Sequence, residues 1–328
     1  IAFNDTMNKA SYIEQSTKKE FKKLANQIRI ARQSVFESAN RTLIELYWTI
    51  GCSISENVKS AGWGKGVVSN LAAYIAKELP DVKGFSDKNL WRMKQFYELY
   101  ASNEKLSPLV RELPWTHNLI IMSRCKNDDE RLFYIDMCKN NKLNKRELER
   151  QIDAAQYERS TSPAKSSPIL KDVNHPDIKD TYVLEFLGLP ERHTENQFQK
   201  ALVQNMKKFI LELGNDFIFM AEEYRLQVGC QDFYIDLLFY HRGICAMVAF
   251  ELKIGKFKPE YLGQLDFYLE ALDRDVKKEH ENPSIGVLLC HDKDDEVVEY
   301  ALSRSMSPTL VAQYQLHLPD KSIFTKKL

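Results

Sequence analysis

The chain has 328 residues, 44% of them hydrophobic, with 46 Lys+Arg against 46 Asp+Glu. Such a length carries a substantial core and about two domains, while the longest unbroken apolar run, 244–250, falls far short of the ~20 residues of a bilayer-crossing helix. Six cysteines at 52, 125, 138, 230, 245 and 290 show neither disulfide-framework nor CxxC zinc spacing.

The opening IAFNDTMNKA lacks the basic start and apolar run of a secretory leader. The sequence therefore predicts a cytoplasmic protein without membrane association, its thiols reduced and mostly buried. It begins on Ile1 rather than Met, which reads as a fragment or a processed chain. The neutral total hides an asymmetry. Residues 1–160 carry 26 Lys+Arg and 20 Asp+Glu, a net +6, and residues 161–328 carry the reverse, −6. A basic half suits a polyanion and an acidic half suits a cation.

Apolar residues Phe21, Leu24, Ile28, Ala31, Val35, then Leu43, Leu46, Tyr47 and Ile50, recur at three- and four-residue steps and predict helix over 18–57. The glycines at 62, 64 and 66 interrupt it, a second helix follows over 67–79, and 80–84 is a turn. Ser86 is placed to cap a third helix over 86–100, with Leu90, Met93, Phe96, Tyr97 and Tyr100 on one face. LPWTH at 113–117 reads as a break, and further helices are predicted over 128–140 and from Asn144. Helix, turn, helix over 67–100 is shaped like a helix-turn-helix. Lys88, Asn89, Arg92 and Gln95 fall on or near the polar face of its second helix, as candidate nucleic-acid contacts. Trp48, Trp63, Trp91 and Trp115 read as core anchors and His117 as a structural hydrogen-bonding residue.

Prolines and hydroxyl residues without apolar periodicity mark 157–180 as a linker. The predicted domains are thus 1–156, all helical, and 181–328. In the latter, Thr194 and Gln197 form a capping box for a helix over 194–213 that Gly214 stops. Strands follow over 217–228, 232–241 and 244–254, a helix from Pro259 to 272, a strand over 284–290, a helix over 294–303 and a strand over 309–316. The order describes an α/β sheet with helices on its faces.

Strict alternation places Asp236 alone among apolar residues of the second strand, with Phe233, Ile235, Leu237 and Phe239 on the opposite side. Glu251 and Lys253 share one face of the third strand. The turn at Arg242-Gly243 brings Asp236 and Glu251 nearly opposite each other. Two hard carboxylates with a lysine beside them suit a divalent cation and a water to be oriented for attack on a phosphodiester. On the following helix Tyr261, Gln264 and Tyr268 lie at i, i+3 and i+7, on one face.

Asp236, Glu251-x-Lys253 and Gln264-x-x-x-Tyr268 in this element order resemble the PD-(D/E)xK nucleases. More closely, YIDLLFYH from 234 and ELKIGKFKPEYLGQLDFYL from 251 resemble the C-terminal domain of the YhcG-like bacterial nuclease family. YWTIG at 47–51, GFSDKNLWRMKQFY at 84–97, LPWTH at 113–117 and ERLFY at 130–134 resemble that family's N-terminal domain. The resemblance implies an α+β two-domain protein: an all-α N-terminal domain, and a C-terminal α/β restriction-endonuclease-like domain with a mixed central sheet. It implies a Mg²⁺- or Mn²⁺-dependent deoxyribonuclease, with RNA left open as substrate and a homodimer expected. Carried over by position, Asp236 and Glu251 bind metal, Lys253 positions water, and Gln264 with Tyr268 serves the substrate side. A third carboxylate on the first core helix is expected at Glu195, with Glu212 as the alternative. Ile235 stands where the superfamily has proline, and Glu222-Glu223 make that edge more acidic than the family would suggest. The competing expectation is a catalytically silent binding or assembly module that keeps the nuclease fold.

Overall fold

Helix accounts for every regular element of the N-terminal half of the computed structural model, which describes residues 2–60, 62–161, 179–214 and 216–319. Helix α1 spans Ala2–Ser60, α2 Lys65–Glu78, α3 Asp87–Tyr100, α4 Leu106–Val110, α5 Trp115–Arg124 and α6 Asp128–Asn141. Ser86 caps α3 by accepting from the Asn89 N–H, and Asn127 caps α6 through Glu130. The LPWTH segment is less of a break than its proline suggested. Pro114 immediately precedes α5, a position where a missing N–H costs nothing.

The core of this half is the crossing of α1 and α3. Ile44, Tyr47 and Ile54 recur at helical spacing on α1 and are buried against Leu90, Met93, Phe96 and Tyr100. Gly51 makes the crossing close: a Cβ there would stand 2.2 Å from the Met93 carbonyl oxygen. Trp48 and Trp115 pack edge-on against Phe96, as the core-anchor expectation had it. His117 is buried with Nε2 2.9 Å from the Leu143 carbonyl, a structural bond.

The chain divides into two compact units, 1–145 and 146–328. Helices α7 (Lys145–Asp153) and α8 (Gln156–Thr161) run across the end of the predicted helical domain, and α8 takes in the first residues of the predicted linker. The remainder of that linker, 162–178, lies outside the described residues.

What holds α7 and α8 in the second unit is charge. Arg150 of α7 donates to Glu185 (2.6 Å) and to the Val183 carbonyl (2.9 Å). Arg159 of α8 donates to the Thr181 carbonyl (2.9 Å) and to the fully buried Glu212 (2.5 Å).

The second unit is built on one six-stranded sheet: β1 Thr181–Val183, β2 Phe217–Val228, β3 Gln231–His241, β4 Ala246–Lys256, β5 Ile285–Asp292 and β6 Thr309–Gln315, in the order β1-β6-β5-β4-β3-β2. Strands β2, β3 and β4 are antiparallel hairpin neighbours, whereas β4, β5, β6 and β1 run parallel. Helix α11 (Tyr261–Ala271) joins β4 to β5 and α12 (Asp295–Leu302) joins β5 to β6, the crossovers that parallel pairing requires. Helices α9 (Glu195–Gln204) and α10 (Met206–Leu213) replace the single helix predicted over 194–213, with the break at Asn205. They cover one face through Phe198, Leu202, Phe209 and Leu213. Helices α11 and α12 cover the other through Leu262, Leu265, Leu269, Val298 and Leu302. Gly286 on β5 lets α11 lie close, since a Cβ there would stand 2.8 Å from Leu265.

Candidate active site

The hairpin of β3 and β4 pairs Leu237 with Phe250 as the last rung of its ladder, and the next residues on the two strands are Asp236 and Glu251, near enough for the charge of one to act on the other. Here the strict alternation expected of β3 fails. Ile235 and Leu238 pack into the α11 face, whereas Leu237 and Phe239 pack into the α9 face. The register leaves Asp236 and Glu223 between the pairs Glu222–Leu237 and Tyr224–Ile235, and Glu223 has a φ of 46°. β3 thus changes faces at Asp236, and the left-handed Glu223 lies at the matching place on β2.

Asp236 is half-buried. One of its oxygens, Oδ2, accepts from the Leu252 N–H at 2.8 Å. Gln199, one helical turn after Glu195 on α9, donates its side-chain amide to the Asp236 carbonyl at 3.1 Å. Glu251 is 3% exposed. Its Oε1 accepts from Lys253 Nζ at 2.9 Å, while its Oε2 is buried with no hydrogen-bond partner. Lys253 Nζ also lies 5.4 Å from the centre of the Tyr261 ring on α11. On the same helix Gln264 donates to the Tyr268 hydroxyl at 2.6 Å, the amide exposed and the phenol buried.

The electrostatics follow from that burial. Loss of water around Glu251, followed by the charge of Asp236, outweighs Lys253 and pushes the Glu251 carboxyl up to about 7. Burial likewise lifts Asp236 above the usual carboxylate range, against the Leu252 N–H and Lys253. Burial would lower the Lys253 ammonium, but its bond to Glu251 and the surrounding carboxylates hold it above its ordinary value. The charge of Glu195 acts on all three groups. Cys290, opposite Lys253 on β5, is buried and its thiol is pushed up to about 12, which suits packing and not nucleophilic attack.

The structure therefore brings Asp236, Glu251, Lys253, Gln264 and Tyr268 to one end of the sheet, with Glu195 within electrostatic reach. Among the described residues no group of three or more His, Cys, Asp or Glu side chains is gathered tightly enough to enclose an ion. The donors in place still fit a hard divalent cation: two carboxylates on adjacent strands, one with an oxygen left unsatisfied in a buried setting.

Glu212, the alternative third carboxylate, is excluded. Its oxygens are taken by Arg159, Arg150 (3.4 Å) and the Val183 N–H (3.0 Å). Burial alone would raise its carboxyl, yet Arg159, Lys179 and Arg150 together hold it at about 2. Asn89 is also committed elsewhere. Its amide donates to the Gly84 carbonyl (2.5 Å) and accepts from the Trp115 indole (3.0 Å), so it fixes the turn before α3 and is not available to read bases. Of its companions, Lys88 and Gln95 are exposed and Arg92 is half-buried. Gln199 escaped the sequence reading; its only signal there was its place one turn from Glu195.

A model of the YhcG PDDEXK nuclease domain matches residues 175–328, and a model of the DUF1016 N-terminal domain matches residues 23–159. The protein named "Putative nuclease YhcG" of Escherichia coli (strain K12) is 29% identical over 338 residues, covering 91% of this chain and 90% of that one. Among solved structures, a repair endonuclease from Pyrococcus abyssi is 15% identical over 40% of this chain and 50% of its own, with a TM-score of 0.26. A complex of EndoMS with double-stranded DNA is 17% identical over 36% and 46%, with a TM-score of 0.23. The chain spans about half the length of these structures, and scores that low bear on neither mechanism nor substrate. The two domain models and the full-length relative place the chain in the YhcG-like family, a DUF1016 N-terminal domain followed by a YhcG PDDEXK nuclease domain.

Proposed function

We propose that the protein is a divalent-metal-dependent endonuclease that hydrolyses DNA phosphodiester bonds in the cytoplasm, its N-terminal domain binding nucleic acid or a partner. The observation that carries this reading is Glu251: a buried carboxylate, within reach of the Asp236 charge, with one oxygen on Lys253 and the other on nothing. A carboxylate oxygen buried without a partner is costly unless a ligand completes it.

Asp236 and Glu251, with Glu195 as the third carboxylate, would hold a Mg²⁺ or Mn²⁺ ion. When bound, such an ion supplies Lewis acidity toward the phosphoryl group and lowers the pKa of water. The protein's own groups do the rest. Lys253 spends one N–H on Glu251 and keeps others to orient the attacking water and to offset charge growing on the phosphoryl oxygens. Gln264 presents an exposed amide to the substrate phosphate, held in orientation by the Tyr268 hydroxyl. Gln199 steadies the Asp236 backbone from α9.

The test compares wild type with Asp236→Ala and Glu251→Ala on linear, branched and single-stranded DNA, each with Mg²⁺ and Mn²⁺. Cleavage by wild type alone, with all three proteins equally folded by circular dichroism, is the expected result. Equal cleavage by all three sinks the proposed centre. Inactivity of wild type on every substrate, with no ion bound in calorimetry, favours the silent module.

A further inference from the structure

The geometry points to Tyr261 as a positioning residue of the centre: its ring holds the Lys253 ammonium where the nuclease reading needs it. Tyr261 shares a helix face with Gln264 and Tyr268, yet the mechanism above gives it no task. The consequence for cleavage rests on the nuclease reading, whereas the placement of the lysine does not.

The segment before the ring builds it into place. Phe257 is buried, and its N–H donates to the Asp292 carbonyl at 2.8 Å, which ties the end of β4 to the end of β5. Residues 258–261 then turn sharply, the Tyr261 N–H donating to the Lys258 carbonyl at 3.1 Å. Pro259 occupies the second position of that turn, where its fixed φ is favourable. Tyr261 is therefore the first residue of α11, half-buried, its body packed on the same apolar cluster as Leu262 and Leu265. A ring anchored in this way presents a fixed face.

Lys253 has the opposite character. Its ammonium rides on a flexible four-carbon stem, and its hydrogen bond of 2.9 Å is to Glu251, which the nuclease reading assigns to a cation. A glutamate whose charge is shared with a divalent cation attracts the lysine less. The Tyr261 ring, its centre 5.4 Å from Nζ, attracts the ammonium through its quadrupole. It does so without adding a carboxylate that would compete for the cation. Lys258 also lies near this ring, at 5.9 Å, but it is exposed and stands 3.6 Å from Glu260, so its charge is answered locally.

The test uses the full chain with the lysine ε-carbons labelled with ¹³C, the Lys253 signal being identified by its loss in Lys253→Met. Protons above a ring face resonate upfield. The Lys253 ε-protons should therefore be shifted upfield in wild type and in Tyr261→Phe, and should return to the position of exposed lysines in Tyr261→Leu. Single-turnover cleavage should follow the signal: Tyr261→Phe near wild type, and Tyr261→Leu slower by roughly tenfold with Mn²⁺ affinity unchanged. A trifluorinated phenylalanine at position 261, which keeps the shape and weakens the quadrupole, should be slow as well. In the Lys253→Met background, Tyr261→Leu should slow cleavage no further. A Lys253 signal that stays shifted in Tyr261→Leu overturns the proposal. So does the same loss of rate in the Lys253→Met background, or a fluorinated ring as fast as wild type. If wild type cleaves no DNA, the nuclease reading fails, and the Lys253 signal alone decides whether the ring holds the lysine.

Discussion

Glu212 and Glu251 lie in the same domain, 0% and 3% exposed, and their surroundings treat them in opposite ways. Around Glu212 stand Arg159, Arg150, Lys179 and the Val183 N–H, and its carboxyl is held at about 2. Around Glu251 stand one lysine and a second carboxylate, and its carboxyl is pushed up to about 7. Buried charge that serves the fold is saturated with partners. Charge left short of partners in a comparable setting marks a candidate binding site. The contrast separates the two acidic helix and strand positions more sharply than their sequence contexts do.

The largest effect expected from breaking this contrast is on the saturated side. Arg159→Met should leave Glu212 buried without its closest partner and cost about 3–5 kcal/mol of stability, read by urea unfolding. A loss below about 1 kcal/mol would mean that Arg150 and Lys179 suffice.

On the unsaturated side, Lys253→Met should keep metal affinity near wild type while slowing single-turnover cleavage by on the order of a hundredfold. Met preserves the stem and deletes the charge, and an ammonium is not itself a ligand. Cleavage at the wild-type rate would reduce Lys253 to an ion-pair partner of Glu251.

Glu251→Gln should stabilise the metal-free protein at pH 8 by on the order of 1–3 kcal/mol, because a carboxyl raised from 4.5 to about 7 is charged there against its surroundings. The gain should shrink as pH falls through 7 and vanish below 4.5, where the acid is neutral whether folded or not. Glu212 has the opposite sign. Its stabilising contribution is full above 4.5 and disappears as pH falls from there toward about 2. Calorimetric unfolding of wild type, Glu251→Gln and Arg159→Met across pH 3–8 distinguishes the two slopes. Parallel curves would erase the distinction.

The smallest effect belongs to Gln199→Ala, which removes one neutral hydrogen bond to the Asp236 backbone and is worth about 1 kcal/mol. Metal affinity should fall severalfold alongside a stability loss of about that size. Loss of stability without loss of affinity would make Gln199 a packing residue.

Much of the site was legible because it is local. A hairpin turn and the two-residue period of strands bring Asp236, Glu251 and Lys253 together within one stretch of 18 residues. The 3.6-residue period of a helix likewise brings Gln264 and Tyr268 into contact. The caps at Ser86 and Thr194 were equally local, each depending on a side chain and an N–H three residues on.

What the tertiary structure alone decided lies at long range. Asn89 became a partner of Trp115, 26 residues away, and Glu212 of Arg159, 53 residues away. Strand β1 is only three residues long and exists because β6 pairs with it in parallel. The change of faces at Asp236 shows only in which core cluster its β3 neighbours join, Ile235 and Leu238 one and Leu237 and Phe239 the other. Helical and strand periods report which side of an element is apolar. They carry no information about which distant charge or amide that side will meet, and here those meetings determine which buried acid is saturated and which keeps an oxygen without a partner.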